Sequence, residues 1–170
     1  MSTTSVQIRR ATQRDAPQLL SLIDALAAYE KLKPPDAAAR QRLINDMGGE
    51  HPKYEAYLAE VNGTAAGYAF VFETYSSFLA RPTLYLEDIF VLPSYRHQKV
   101  GYALFKEMVA EASRRGCGRM EWAVLDWNKL AINFYQQIGA TYLKEWCLYR
   151  LTRDEMKAIV GSPPTGPGQV

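Results

Sequence analysis

Residues 85–109, YLEDIFVLPSYRHQKVGYALFKEMV, constrain the fold more than any other stretch of the chain. They read as a strand, a tight basic loop and a helix in immediate succession. From 83 to 92 nearly every residue is apolar or β-branched on both faces, which marks a central strand covered on two sides. Two carboxylates, Glu87 and Asp88, interrupt it, and plain alternation puts them on opposite faces. Pro93 ends the strand because it has no N–H to give a ladder. After the polar residues 94–99, apolar side chains return at Val100, Leu104, Met108 and Ala112, with Phe105 and Val109 beside them. That spacing is helical. A helix N-terminus reached through a basic loop has unpaired N–H groups and partial positive charge, and so suits an anion.

The rest of the composition narrows the choices. A chain of 170 residues with 48% apolar and 12% aromatic content builds one globular domain, expected here over residues 1–160. The Pro- and Gly-rich residues 161–170 read as a disordered tail. A formal charge of +2, with no long Lys/Arg run, argues against a nucleic-acid partner. Cys117 and Cys147, with His51 and His97, form neither a disulfide framework nor a zinc spacing, so no metal is expected. The polar N-terminus lacks the apolar core of a signal peptide, and no stretch reaches the roughly 20 apolar residues of a spanning helix. The expectation is a soluble cytoplasmic protein with no membrane partner.

Taken in order, residues 6–10 read as a first strand, and Thr12 with Asp15 as a capping box opening a helix that ends near Tyr29-Glu30-Lys31. A second helix is expected over 36–47, stopped by Gly48-Gly49. Strands over 55–61 and 65–75 flank Asn62-Gly63, a strong hairpin signal. Beyond the central helix, 119–125 reads as a strand, 128–137 as a short helix and 140–151 as a last, aromatic-rich strand. A helical turn or two is expected over 154–160. Walker A, GxGxxG, HExxH and GxSxG patterns do not occur.

Three segments, YLEDIFVLPSYR with its loop, AVLDWN and AINFYQQIGA, resemble the GCN5-related N-acetyltransferases, whose loop reads Arg/Gln-x-x-Gly-x-Gly/Ala. Within them the similarity is to the diamine and thialysine N-acetyltransferases and covers roughly residues 6–150. One departure stands out: Lys99 replaces the first loop glycine, and only Gly101 remains. The resemblance implies an α/β (α+β) acyl-CoA N-acyltransferase fold, a mixed and mostly antiparallel sheet flanked by helices on both faces. It also implies acetyl-CoA as cosubstrate, a small amine as acceptor and a homodimer.

The residues can be weighed against that chemistry. An alkyl amine of pKa near ~10.4 is about one part in a thousand neutral at pH 7, an entry cost of roughly 4 kcal/mol, so a base is useful. Glu87, mid-strand, is the candidate base, its pKa expected to rise through burial; a carboxylate satisfied by backbone or a cation is the bland alternative. Asp88, and the carboxylates Glu30, Glu73, Glu121 and Asp126, could attract a cationic acceptor or simply solvate the surface. By resemblance, Tyr29, Glu30, Glu87, Asp88, Glu121, Trp122 and Ala123 line the acceptor side. By the same resemblance Tyr135 donates to the departing sulfur, although a core tyrosine would look the same. The resemblance also implies that Ile89, Phe90 and Val91 offer backbone to the pantetheine arm. Arg96, His97, Gln98, Lys99, Val100, Gly101 and Tyr102 are the candidates to face the diphosphate. By resemblance Asn128 and Ala131 are expected to touch the cosubstrate, although an N-cap explains Asn128 equally well. Ser76-Ser77-Phe78 stands where polyamine acetylases carry Asp-Pro-Trp, which favours a lysine-like or diamine acceptor over long polyamines. The competing readings are a CoA-binding regulatory module with little turnover, motivated by Lys99, and a structural partner protein, suggested by Trp146 and Tyr149.

Overall fold

The computed structural model describes residues 5–161, and these form two compact units divided between Ala123 and Val124. The first unit is built on a five-stranded sheet in the order β1-β2-β3-β4-β5: β1 (Val6–Arg10), β2 (Glu55–Val61), β3 (Thr64–Ser76), β4 (Arg81–Val91) and β5 (Arg119–Glu121). The first four are antiparallel neighbours and β5 runs parallel to β4, so the sheet is mixed. Helices α1 (Ala16–Glu30), α2 (Ala37–Asp46) and α3 (Val100–Arg114) complete the unit.

Local chemistry sets most boundaries. The Thr12 N–H and hydroxyl both donate to Asp15 Oδ2, at 2.8 and 3.0 Å, and fix the turn that leads into α1. The Arg9 guanidinium reaches the same carboxylate at 2.7 Å and Glu60 at 2.7 Å, tying that turn to β1 and β2 and holding the Asp15 carboxyl far below its ordinary range. Asp36 accepts from the Ala39 N–H at 2.8 Å and caps α2. Asn62 and Gly63 both have positive φ, 50° and 79°, the backbone a two-residue hairpin with right-handed strand twist requires. A Cβ on Gly67 would sit 2.5 Å from the Phe90 carbonyl oxygen, so only glycine lets β3 lie this close to β4.

The two faces of the sheet are covered differently. Leu19 and Leu22 of α1 pack with Ala56, Leu58, Tyr68 and Phe90 in one buried cluster. Register puts Ala56 opposite Phe70 and Leu58 opposite Tyr68, so these residues share a face. Tyr57, Ala59, Ala69 and Val71 belong to the other face, and they are buried, as are Val100, Leu104, Phe105, Met108 and Ala112 of α3. At the end of α3, Arg115 binds Glu55 and Glu111 at 2.7 Å each and Glu73 at 3.2 Å, which anchors the helix to β2 and β3.

The second unit holds α4 (Lys129–Gln137) and α5 (Arg153–Gly161). Asn128 caps α4 by accepting from the Ala131 N–H at 3.3 Å, and Gly139, at φ 82°, follows its end. Two sequence-based expectations change here. The strand expected over 119–125 stops at Glu121, and residues 140–151 form no strand among the described residues. The aromatic alternation of 140–151 satisfies the side-chain rule for a strand, but a strand also needs a ladder partner for its N–H and C=O groups. Tyr142, Trp146 and Tyr149 are each more than three-quarters exposed. The tail expected over 161–170 lies outside the described residues except for Gly161, which ends α5.

Candidate active site

Most candidate residues of the first unit lie on β4 and in the loop that follows it. Its parallel ladder with β5 covers only Thr83, Leu84 and Tyr85. From Leu86 to Val91 that edge of β4 has no strand beside it among the described residues, although the opposite edge stays paired with β3. Within this stretch the register slips: Val71 faces Leu86 but Phe70 faces Asp88. Glu87 is therefore the extra residue of a β-bulge, a device that bends a strand and re-aims its side chains.

The bulge separates the surroundings of the two carboxylates. Asp88, opposite Phe70, lies on the α1 face, where Tyr68 donates its hydroxyl to Asp88 Oδ2 at 3.0 Å. Glu87, expected to be buried in mid-strand, is exposed, because as the extra residue it has no partner on β3; the pKa of Asp88 is raised to about 6. The largest cause is loss of solvent around the carboxylate; the Tyr68 bond opposes it, and the charges of Glu87 and Glu30 add to it. Glu30, on the last turn of α1, is also raised by burial. Burial first, and then the Asp88 carboxylate with the charges of Glu30 and Glu87, keep Tyr68 protonated far above neutral pH. An exposed carboxylate on a bulge, beside a half-buried carboxylate and a fixed tyrosine, makes an anionic wall suited to a cationic ligand.

Tyr68 is absent from the sequence reading. Its signal was a lone hydroxyl in the apolar run Ala65-Ala66-Gly67-Tyr68-Ala69-Phe70, where burial demands a hydrogen-bond partner.

At the end of β4, Ile89, Phe90 and Val91 pair with Ala69, Tyr68 and Gly67. The loop follows. His97 and Lys99 both take left-handed backbone, at φ 62° and 63°, and both are exposed, as are Gln98 and Tyr102. Val100 is buried and opens α3; a Cβ on Gly101 would meet only Val91 Cγ2, at an ordinary 3.7 Å. Arg96 folds back instead of pointing along the loop. Its Nε donates to the Val91 carbonyl at 3.1 Å, and its guanidinium lies 4.7 Å from the Tyr29 ring centre and 5.8 Å from that of Phe90.

The remaining carboxylates named from the sequence have other partners. Glu73 belongs to the Arg115 network, and Glu121 pairs with Arg119 at 2.9 Å. Trp122 packs edge-on against Phe105, ring centres 5.3 Å apart, and Ala123 is exposed. In the second unit Asn128, Ala131 and Tyr135 share the start and middle of α4, with Tyr135 edge-on to Phe134 at 5.5 Å and Asp126 exposed just ahead. Burial pushes the Tyr135 hydroxyl up to about 12, so it keeps its proton at neutral pH. Among the described residues no His, Cys, Asp and Glu cluster could hold a metal ion, and no helix is long and apolar enough to cross a membrane.

A strand that leaves its parallel partner, bulges at a carboxylate and runs through a cationic loop into a helix N-terminus is the architecture of an acyl-CoA N-acyltransferase. Comparison with known proteins agrees. Residues 19–140 match the model of the Acetyltransferase (GNAT) family. Thialysine N-epsilon-acetyltransferase of Mus musculus is 33% identical over 168 residues, spanning 92% of this chain and 98% of the relative. L-ornithine N5-acetyltransferase NATA1 of Arabidopsis thaliana is 43% identical over 116 residues, 67% of this chain and 51% of the relative. An integron cassette protein from the V. cholerae mobile metagenome has the same fold, with TM-score 0.79, 23% identity and coverage of 93% and 99%. The chain belongs to the GNAT acetyltransferase family, in its thialysine and diamine branch, and is an acetyl-CoA-dependent N-acetyltransferase.

Proposed function

We propose that this enzyme transfers the acetyl group of acetyl-CoA to a primary amine of a small cationic acceptor, thialysine- or lysine-like or a diamine. The observation that carries the reading is the bulge at Glu87, which sets an exposed carboxylate beside the half-buried Asp88, hydrogen-bonded to Tyr68, on a strand leading to the loop and α3. The Glu30, Glu87 and Asp88 wall favours a cation, and exposure of Glu87 suits a base that works through water. Glu87 takes one proton of the ammonium, the neutral nitrogen attacks the thioester carbonyl directly, the carbon–sulfur bond breaks, and the amide forms as the nitrogen gives its second surplus proton to water, from which the donor to sulfur is reprotonated. Tyr135 gives its proton to the departing thiolate, a role that its raised pKa leaves open at neutral pH.

The backbone of Ile89, Phe90 and Val91, on the edge without a neighbouring strand, suits the pantetheine amides. The loop N–H groups from Gln98 to Gly101, with His97 and Lys99, suit the diphosphate; Asn128 and Ala131 complete the cosubstrate site. The family match runs through both units, which supports treating residues 1–160 as one domain. Action in the cytoplasm as a homodimer, with no nucleic-acid or membrane partner and no metal, belongs to the same proposal.

The test is a thiol-release assay with acetyl-CoA against thialysine, lysine, ornithine, putrescine, spermidine and an aminoglycoside. Turnover highest with a lysine-like or diamine acceptor is the expected result. CoA binding without turnover on any amine would replace this reading with the regulatory module that the left-handed Lys99 suggests.

A further inference from the structure

Four contacts converge on Arg96. Its N–H donates to the Pro93 carbonyl at 3.2 Å, its Nε to the Val91 carbonyl at 3.1 Å, and its guanidinium stacks over Tyr29 and lies near Phe90. The two rings touch one another, centres 6.1 Å apart. Tyr29 and Glu30 are the last residues of α1, and Lys31 then turns left-handed at φ 58°. The end of a helix is where backbone bonds run out and fraying begins. Here that end is held against the last residues of β4 by a planar cation.

We infer that Arg96 is a positioning residue for the acceptor: it fixes Tyr29 and Glu30 on the α1 face of β4, beside Asp88, instead of serving as a ligand of the diphosphate. The inference rests on the acetyl-transfer reading of this site and assigns one of its loop residues a different task. The geometry separates the two tasks. A guanidinium laid on a tyrosine, with its Nε given to a carbonyl, spends its planar face and one donor on the protein itself. Its neighbours His97, Gln98 and Lys99 are exposed, and they remain to meet an anion. Charge alone does not reproduce the clamp, because a lysine ammonium can neither stack as a plane nor hold that two-part geometry.

Arg96→Lys therefore keeps the cation near the loop and removes the clamp, and Tyr29→Leu removes the ring from the other side. Each variant, and the double variant, is assayed for CoA affinity by calorimetry and for amine KM and kcat by thiol release. The expected result is an amine KM raised about tenfold in each single variant, with CoA Kd changed less than about threefold. The double variant should be little worse than either single one, because both break the same contact.

A tenfold weaker CoA Kd with amine KM unchanged would make Arg96 a phosphate ligand and overturn the inference. So would equal losses on both sides, or no change in either. If Arg96→Lys fails to fold, Arg96→Met, which keeps the length of the side chain and removes the guanidinium, decides by the same split between amine and CoA. Should the wild type acetylate no amine, the acetyl-transfer reading fails separately. The clamp then stands or falls on melting temperatures: losses that add fully in the double variant refute it, and losses that do not add support it.

Discussion

Asp88→Asn isolates the energetic cost of the anionic wall. The wild-type carboxyl rises from 3.8 to about 6 on folding, because burial and the nearby Glu87 and Glu30 charges outweigh the Tyr68 hydrogen bond. At about 1.4 kcal/mol per pH unit, that difference corresponds to roughly 3 kcal/mol, an upper figure for a group that keeps some solvent contact. The sign follows from proton binding. A carboxyl whose folded pKa is raised supports the fold fully below about pH 4, and this support is lost as pH rises through about 6. At pH 7.5 the wild type therefore carries the whole penalty. Asparagine removes the charge, keeps the volume and leaves a carbonyl to accept from Tyr68. The variant should gain about 1–3 kcal/mol at pH 7.5, or several degrees in Tm for a chain of this length, and almost nothing at pH 4. Scanning calorimetry on both proteins from pH 4 to 8 measures it. On the same samples kcat/KM for the amine should fall at least tenfold, with CoA affinity intact, the exchange of stability for function expected of a binding site. A variant less stable than wild type at pH 7.5, or a gain independent of pH, would refute the argument.

Glu87→Gln should lower turnover ~10²–10⁴-fold at neutral pH and progressively less as the amine becomes neutral on its own, which a pH–rate profile resolves. Tyr135→Phe should cost tenfold or more in kcat with amine KM and Tm nearly constant, since the thiolate charge it meets develops only in the transition state; unchanged kcat would remove it from the mechanism. Lys99→Gly releases a left-handed lysine at φ 63° and should stabilise the protein by about 1 kcal/mol in a thermal melt, less the entropy that glycine adds to the unfolded chain.

The elements of the first unit were legible because each is signalled locally. The capping box at Thr12, Asp36 before α2, Asn62-Gly63 in the hairpin and the helical spacing from Val100 all act within a few residues. The expected strands failed where the deciding partner is distant. Residues 119–125 and 140–151 have the composition of strands, but composition supplies one side of a ladder and says nothing of the other. The bulge escaped for a related reason. No glycine or proline marks Glu87; the extra residue exists only in the register between β3 and β4.

That single slip accounts for the difference between the burial expected of Glu87 and the exposure the structure shows. Alternation assigns one carboxylate to the core and one to the opposite face, and mid-strand position suggested that Glu87 was buried. Asp88 keeps the α1 face in step with Phe90, and the extra residue, Glu87, is left to solvent. In the proposed mechanism the two carboxylates then do different things. A half-buried, hydrogen-bonded group holds a fixed charge that a cation can answer, and an exposed one can exchange protons with water at little cost. Two adjacent acids in an unbroken strand could divide the work this way only by facing different elements. A bulge lets them divide it while both remain close enough to Tyr68 for each to raise its pKa. Under the proposed mechanism the β-bulge belongs to the chemistry as much as to the fold: deleting Glu87 would bring Leu86 and Asp88 into simple alternation, and the strand would lose the exposed carboxylate.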